Sequence, residues 1–208
     1  MRPTFLAALP LLVAACGPIV QVGAPAAPPA SLLTLTATGQ AASPAGLQAM
    51  AETEAVSLIA ATAPATLTTT RIPVLSSDTE IQYLKGAQWT EPPARLFMRL
   101  VADTLHGAGV LVIDRRVAGR SADRILGGEL GVFHVDVRGS PMVRVRFDAT
   151  LTGPDGVRQR RFEREVMLGS TDPVPVSRAL NAAANAVAAD IAQWVGQARG
   201  AGQPPPRG

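Results

Sequence analysis

The sequence predicts an α+β fold, in which two main amphipathic helices pack on a mostly antiparallel sheet. Residues 124–168 alternate apolar and polar side chains with a period of two, which is typical of antiparallel strands with one buried face. Two other stretches, residues 90–109 and 174–198, instead repeat their apolar residues at helical spacing. Further strand patterns precede the first helix, and this order of elements indicates the α+β class.

The region before the first helix predicts short strands. Residues 31–38 are rich in Leu and Thr and form the first of them. Residues 47–64 leave two alternatives, because AVSLIA fits either the end of a helix or a short strand. TLTTTRIPVL predicts the next strand, with Pro73 at an edge or a bulge. TEIQYL predicts its partner across a Ser-Ser-Asp turn.

The first helix is the clearest element of the sequence. Thr90 is its candidate N-cap and prolines follow in the first turn, while Gly107 and Gly109 end it. VLVIDRR then predicts a buried strand. The predicted apolar stripe of the helix consists of Leu96, Phe97, Leu100, Val101 and Leu105.

A three-stranded antiparallel meander is predicted over residues 124–168, with TGPDG as a hairpin turn. The apolar phase shifts within residues 125–138, and Gly131 near that shift predicts a β-bulge. Ser170, Thr171 and Asp172 offer caps for the second helix. Its predicted buried face consists of Leu180, Ala184, Val187, Ile191, Trp194 and Ala198.

One cysteine, Cys16, stands in the chain of 208 residues. A single cysteine cannot close a disulfide within the chain, nor can it build a structural zinc site by itself. Arg2 and the apolar run 5–13 precede it, which is typical of a secretory signal. The run is too short to span a bilayer. An ordinary signal with an incidental cysteine is the alternative to a lipid anchor.

The sequence Val13-Ala14-Ala15-Cys16 resembles the bacterial lipobox. This resemblance implies cleavage between Ala15 and Cys16 and acylation of Cys16, which would hold the protein on a membrane. The predicted organisation is a signal peptide at 1–15, an acylated Pro/Ala-rich tether at 16–30, a single periplasmic domain at 31–199 and a disordered tail at 200–208.

The composition argues against a nucleic-acid partner, because aromatic residues make up 4% and the net charge is only +3. No catalytic, metal or cofactor motif is found. His106 is predicted at the end of the first helix and His134 on a solvated strand face, so a catalytic role is disfavoured for both. GGELG at 127–131 predicts a bulged strand rather than a phosphate loop. RQRRFERE at 158–165 predicts an edge strand that charges protect against aggregation, with binding to anionic lipid heads as the alternative.

Tyr83, Gly86 and Trp89 form the candidate partner surface. Both aromatic residues lie in a segment that leads into the first helix. Core packing at this junction and contact with a partner are both consistent with the pattern, and packing is favoured.

The same segment, EIQYLKGAQWTEPPARLF at 80–97, resembles the auxiliary lipoproteins of ABC-type transport systems, the PqiC-like family. The matching residues are Ile81, Tyr83, Gly86, Ala87, Trp89 and Leu96. The resemblance implies a non-enzymatic partner of an ABC permease, an ATPase and an MCE-family protein. Such systems move phospholipids or other hydrophobic molecules between the inner and outer membranes.

The resemblance further implies a place at the periplasmic face of the outer membrane, with the inner membrane as the alternative. It leaves direct phospholipid binding and homo-oligomer formation open. A structural lipoprotein that assists assembly of an outer-membrane or cell-wall complex is the competing hypothesis. A small hydrolase is a third, disfavoured because no nucleophile with its base is found.

Overall fold

The computed structural model describes residues 31–39, 55–113 and 122–200, with side chains as far as residue 198. The predicted signal peptide, Cys16, the tether and the tail from 201 onward therefore lie outside the described residues. In chain order the elements are β1 (Ser31–Leu33), β2 (Val56–Leu58), β3 (Pro73–Leu75), β4 (Ile81–Tyr83), β5 (Ala87–Trp89), α1 (Pro93–Gly107), β6 (Val112–Ile113), β7 (Arg124–Asp136), β8 (Met142–Gly153), β9 (Gly156–Met167) and α2 (Pro173–Gly200).

Strand β7 is the centre of the main sheet. One of its edges pairs along its length with antiparallel β8, which pairs in turn with antiparallel β9. The other edge is shared by β2 and β3, which both run parallel to β7. β6 joins β2 in parallel, and β4 joins β3 as an antiparallel hairpin. The α+β class is confirmed, and the sheet is mixed rather than purely antiparallel.

The predicted meander is confirmed, together with its turn and its bulge. The β7–β8 register passes from Leu130 opposite Phe147 to Val132 opposite Arg146, so Gly131 is the extra residue. Gly156 begins β9 with φ +103°, a left-handed conformation that the tight turn before it requires. GGELG accordingly lies inside β7.

The two helices cover one face of the meander, and the apolar core lies between them and the sheet. Phe97 of α1 packs against Phe147 of β8, with ring centroids 5.1 Å apart. Trp194 of α2 packs edge-on against Phe162 of β9 at 5.6 Å. The predicted stripe of α1 is buried, as is the predicted face of α2 apart from Trp194, which is half-buried.

Two predictions around the first helix are wrong. Helix α1 begins at Pro93, with Pro92 at the N-cap position, so Thr90 is not the cap. The two prolines set the backbone dihedrals at the helix entry, and Pro93 lacks the N–H that a cap would bind. Among the described residues, VLVIDRR contributes only the two-residue, half-buried β6. Within AVSLIA, Val56–Leu58 form strand β2, so the strand alternative holds for this stretch, and residues 47–54 lie outside the described residues.

Only the first three residues of the predicted strand 31–38 pair in a sheet, where β1 runs parallel to β5. The remainder lies along α2, because two asparagines of that helix bind its backbone. The Thr36 N–H donates to Asn181 Oδ1 at 2.9 Å, and the Thr38 N–H donates to Asn185 Oδ1 at 2.8 Å. Asn185 Nδ2 also donates to the Thr36 carbonyl at 2.9 Å. Side-chain amides thus replace a neighbouring strand here.

Candidate partner surface

The segment around Tyr83, Gly86 and Trp89 connects the two sheets. β4 ends at Tyr83 in the main sheet, and β5 begins at Ala87 in the small sheet. Gly86 lies in the turn between them with φ +79°, a left-handed conformation that glycine adopts without strain. Its carbonyl accepts a hydrogen bond from the Ser31 N–H at 3.1 Å. The turn therefore also holds the entry point of the N-terminal segment.

Trp89 belongs to the core. Its side chain is 1% exposed, and its ring packs edge-on against Phe133 with centroids 5.5 Å apart. The Trp89 N–H also donates to the Thr70 carbonyl at 2.7 Å, which ties β5 to the chain that precedes β3. The packing alternative therefore describes Trp89. Its side chain is too buried to contact a partner directly.

Tyr83 and its neighbours form the exposed part of the segment. The Arg71 guanidinium lies over the Tyr83 ring, 3.8 Å from its centroid, in cation–π geometry. Ile81, two residues earlier on the same face of β4, is 44% exposed. We call Arg71, Ile81, Tyr83 and Gly86 the motif surface. It combines an aromatic ring, an apolar side chain and a cation, which are groups that protein interfaces favour.

An ion cluster fixes the β3–β4 hairpin against β7. Arg138 donates to Asp136 through Nη2 at 2.7 Å and to Asp78 through Nη1 at 2.5 Å. Asp136 is only 6% exposed. Hydrogen bonds from Arg138 outweigh the effect of this burial and lower the pKa of Asp136 to about 2. The hairpin that carries Ile81 and Tyr83 is thus attached to the central strand at its turn.

The face of the sheet away from the helices holds a groove of about 730 Å³. Gly127, Thr150 and Gln159 lie opposite one another on adjacent strands and form its floor. Ile59 packs over Gly127, where a Cβ would approach it to 2.4 Å. The sequence pattern did not predict this groove, although two consecutive small residues on a strand were visible in GGELG.

His134 also lies on this open face, but it is half-buried rather than solvated as predicted. Its Nε2 is buried and has no hydrogen-bond partner among the described residues. Burial is the largest cause that lowers the pKa of His134, and the nearby guanidinium of Arg144 adds to the effect. The ring therefore favours its neutral form. His106 lies in the last turn of α1, as predicted.

Among the described residues, no group of three or more His, Cys, Asp or Glu side chains could hold a metal ion. The described helices include none that is both long and apolar enough to cross a membrane. Cys16 and the predicted cleavage site at Ala15 lie outside the described residues.

A family model for the ABC-type transport auxiliary lipoprotein component matches residues 33–192. The chain belongs to this family. A search of the curated proteins found no match. Membership in this lipoprotein family implies a membrane-associated location in the cell envelope and association with an ABC transport system.

Two solved structures share the fold of this auxiliary lipoprotein, and a third shows a weaker likeness. A Xanthomonas campestris protein from the family designated DUF330 is 20% identical, with 82% of this chain and 99% of that chain covered and a TM-score of 0.66. An uncharacterized protein is 14% identical, with coverages of 81% and 99% and a TM-score of 0.64. A PelC dodecamer from Paraburkholderia phytofirmans is 13% identical, with coverages of 73% and 92% and a TM-score of 0.41.

Proposed function

We propose that this protein is a periplasmic lipoprotein that serves as a non-catalytic auxiliary component of an ABC/MCE-type transport system. The system would carry phospholipids or other hydrophobic molecules between the inner and outer membranes. The observation that carries the proposal is the family match over residues 33–192, which includes strands β2 to β9, all of α1 and most of α2. The motif that resembles PqiC-like lipoproteins lies inside this match.

The proposed anchor is acylated Cys16 at the periplasmic face of the outer membrane, with the inner membrane as the alternative. Cleavage after Ala15 would leave 16–30 as the link between the lipid and β1. Mass spectrometry of the mature protein tests this part. We expect an acylated Cys16 at the amino terminus and loss of membrane association in Cys16→Ser. An unacylated mature terminus at another residue would contradict the anchor.

The proposed docking site for the transport partner is the motif surface. Tyr83 is half-buried under the Arg71 guanidinium, and it lies on the hairpin that the Arg138 cluster attaches to β7. An aromatic ring that is already held in place loses little conformational entropy when a partner covers it. The buried Trp89 keeps the turn at Gly86 in place.

The test is affinity purification of the tagged full-length protein from detergent-solubilised envelopes, with partners identified by mass spectrometry. We expect recovery of an MCE-family protein with its permease and ATPase. Tyr83→Ala should lower this recovery, whereas Gln82→Ala, at the exposed neighbouring position that points to the other face of β4, should leave it unchanged. Recovery of only outer-membrane assembly or cell-wall factors would overturn the transport role.

A further inference from the structure

Strand β9 forms a long open edge of the main sheet. It runs over 12 residues, Gly156–Met167, and its backbone pairs only with β8 among the described residues. Every second residue of such a strand directs its N–H and C=O away from the sheet. An edge of this length can accept an added strand, and proteins that do not use such an edge usually shorten, bend or cover it.

Most charges near this edge are already paired. Arg161 binds Asp148 of β8 at 2.6 Å, and Arg164 binds Asp190 of α2. Glu163 and Glu165 both lie within ion-pair distance of Arg144, at 3.5 and 2.6 Å. Most charged side chains near this edge are therefore already neutralised by partners within the chain.

Two exposed arginines at one end of β9 have no carboxylate partner among the described residues. Arg158 and Arg160 lie two positions apart and so on the same face of the strand. The Arg160 guanidinium lies 5.1 Å from the centre of the Phe162 ring, which limits its freedom. Two positive charges at strand spacing complement two carboxylates at alternate positions of a neighbouring strand.

The two arginines lie at the end of the domain away from Ser31. Arg158 and Ala198, near the C-terminal end of α2, line the same small cleft. Ser31, where the tether joins the domain, is bonded to Gly86, and a Cβ added at Gly86 would lie 3.9 Å from Pro173 at the other end of α2. A helix of 28 residues is about 40 Å long. Arg158 and Arg160 therefore lie near the end of α2 that is remote from Ser31.

A second copy of the chain fits the edge poorly. Antiparallel pairing of two β9 strands centred on Phe162 would place Arg160 opposite Arg164. Pairing centred on Arg161 would place Arg158 opposite Arg164 instead. Like charges directly opposite each other destabilise a strand pair.

We propose that the free edge of β9 binds an extended acidic segment of a partner protein by strand addition, with Arg158 and Arg160 pairing with carboxylates at alternate positions. The backbone ladder supplies affinity, and the two guanidinium groups select the partner by its charge. The inference deepens the proposed auxiliary role and rests on it for the existence of a protein partner.

The test uses the purified full-length protein and a fluorescent peptide of about ten residues in which glutamate alternates with threonine. Fluorescence anisotropy should show binding that weakens with salt. Arg158→Glu/Arg160→Glu should weaken it about tenfold or more. Arg178→Glu, which reverses an exposed charge on α2, is the matched control and should bind like the wild type. Unchanged circular dichroism of each variant controls for folding.

Two further probes separate strand addition from simple attraction between charges. A peptide that is N-methylated at every second residue keeps its carboxylates but cannot complete the ladder, and it should not bind. The proposal is overturned if the N-methylated peptide binds as tightly as the unmethylated one. It is also overturned if the double variant binds the unmethylated peptide as tightly as the wild type does. A third result would also overturn it, in which the wild type binds phosphatidylglycerol vesicles but not the peptide, and the double variant no longer binds the vesicles. The assay contains no transport component, so its failure leaves the proposed function intact.

Discussion

The two faces of strand β8 differ in chemistry and in their contribution to the molecule. Its inward residues are almost fully buried under the helices; they are Val143, Val145, Phe147, Ala149 and Leu151. Its outward residues Arg144, Arg146 and Asp148 are only half-buried and take part in ion pairs with β9 or with each other. Burial of apolar area stabilises a fold much more than partly exposed ion pairs do. The inner face therefore supplies most of the stability of the fold, and the residues of the outer face can change with function.

The largest expected effect is on the inner face. Phe147→Ala removes a ring that packs against Phe97 and should lower the free energy of unfolding by about 3–5 kcal/mol. Thr150→Ala on the outer face of the same strand is the control and should change it by less than about 0.5 kcal/mol. Denaturant unfolding followed by circular dichroism measures both. Similar costs for the two variants would remove the distinction between the faces.

The second effect concerns Gly128, where β7 approaches β8 closely. A Cβ at this residue would lie 2.2 Å from the Asp148 carbonyl oxygen, and φ is +152°. Gly128→Ala should therefore cost about 1–3 kcal/mol of unfolding free energy. Gly139→Ala is the matched control, because its Cβ meets nothing within 4 Å. Equal melting temperatures of the two variants would show that β7 and β8 can move apart to accept a Cβ at this position.

The third effect is a pH dependence at the end of β7. The pKa of Asp136 falls from 3.8 to about 2 on folding, because Arg138 binds the charged carboxylate. The folded state thus holds fewer protons, so this stabilisation is complete above pH 3.8 and is lost as the pH falls towards 2. Arg138→Ala should lower stability at neutral pH and flatten its decline in that window.

Unfolding curves measured from pH 7 downward test this prediction, with Arg95→Ala as the control. Arg95 is an exposed arginine whose partner is Glu91 on the helix side of the molecule. Its loss should leave the acid profile near that of the wild type. An Arg138→Ala profile parallel to that of the wild type between pH 4 and 2 would contradict the Asp136 assignment.

The smallest expected effect is on the outer face. Arg144→Ala removes partly exposed ion pairs with Glu163 and Glu165 and should cost less than about 1 kcal/mol. Arg144 also lowers the pKa of His134, so its removal should raise that pKa towards the ordinary value. Titration of the histidine signals by NMR measures this shift. A downward shift would show that burial increases when the arginine is lost.

Much of the fold could be predicted from the sequence because it follows from neighbours in the chain. The alternation in β8, the TGPDG turn and the phase shift at Gly131 each specify local backbone geometry, and each was confirmed. The apolar stripes of α1 and α2 likewise indicated which faces are buried. The family resemblance of residues 80–97 depended on side chains at fixed spacing, and the family was confirmed.

Other features were decided by the tertiary structure, because they join residues far apart in the chain. Arg138 binds Asp78 sixty positions away, and Asn185 binds the backbone of Thr36 across 149. The parallel pairing of β2 and β3 with β7 likewise has no local pattern, so the mixed sheet was not predicted. Trp89 illustrates the limit within the candidate site: spacing identified the residue, but only the packing of Phe133 against it decides that its ring is buried. Periodicity specifies which face of an element is apolar, whereas the identity of the elements that cover that face depends on the tertiary fold of the whole chain.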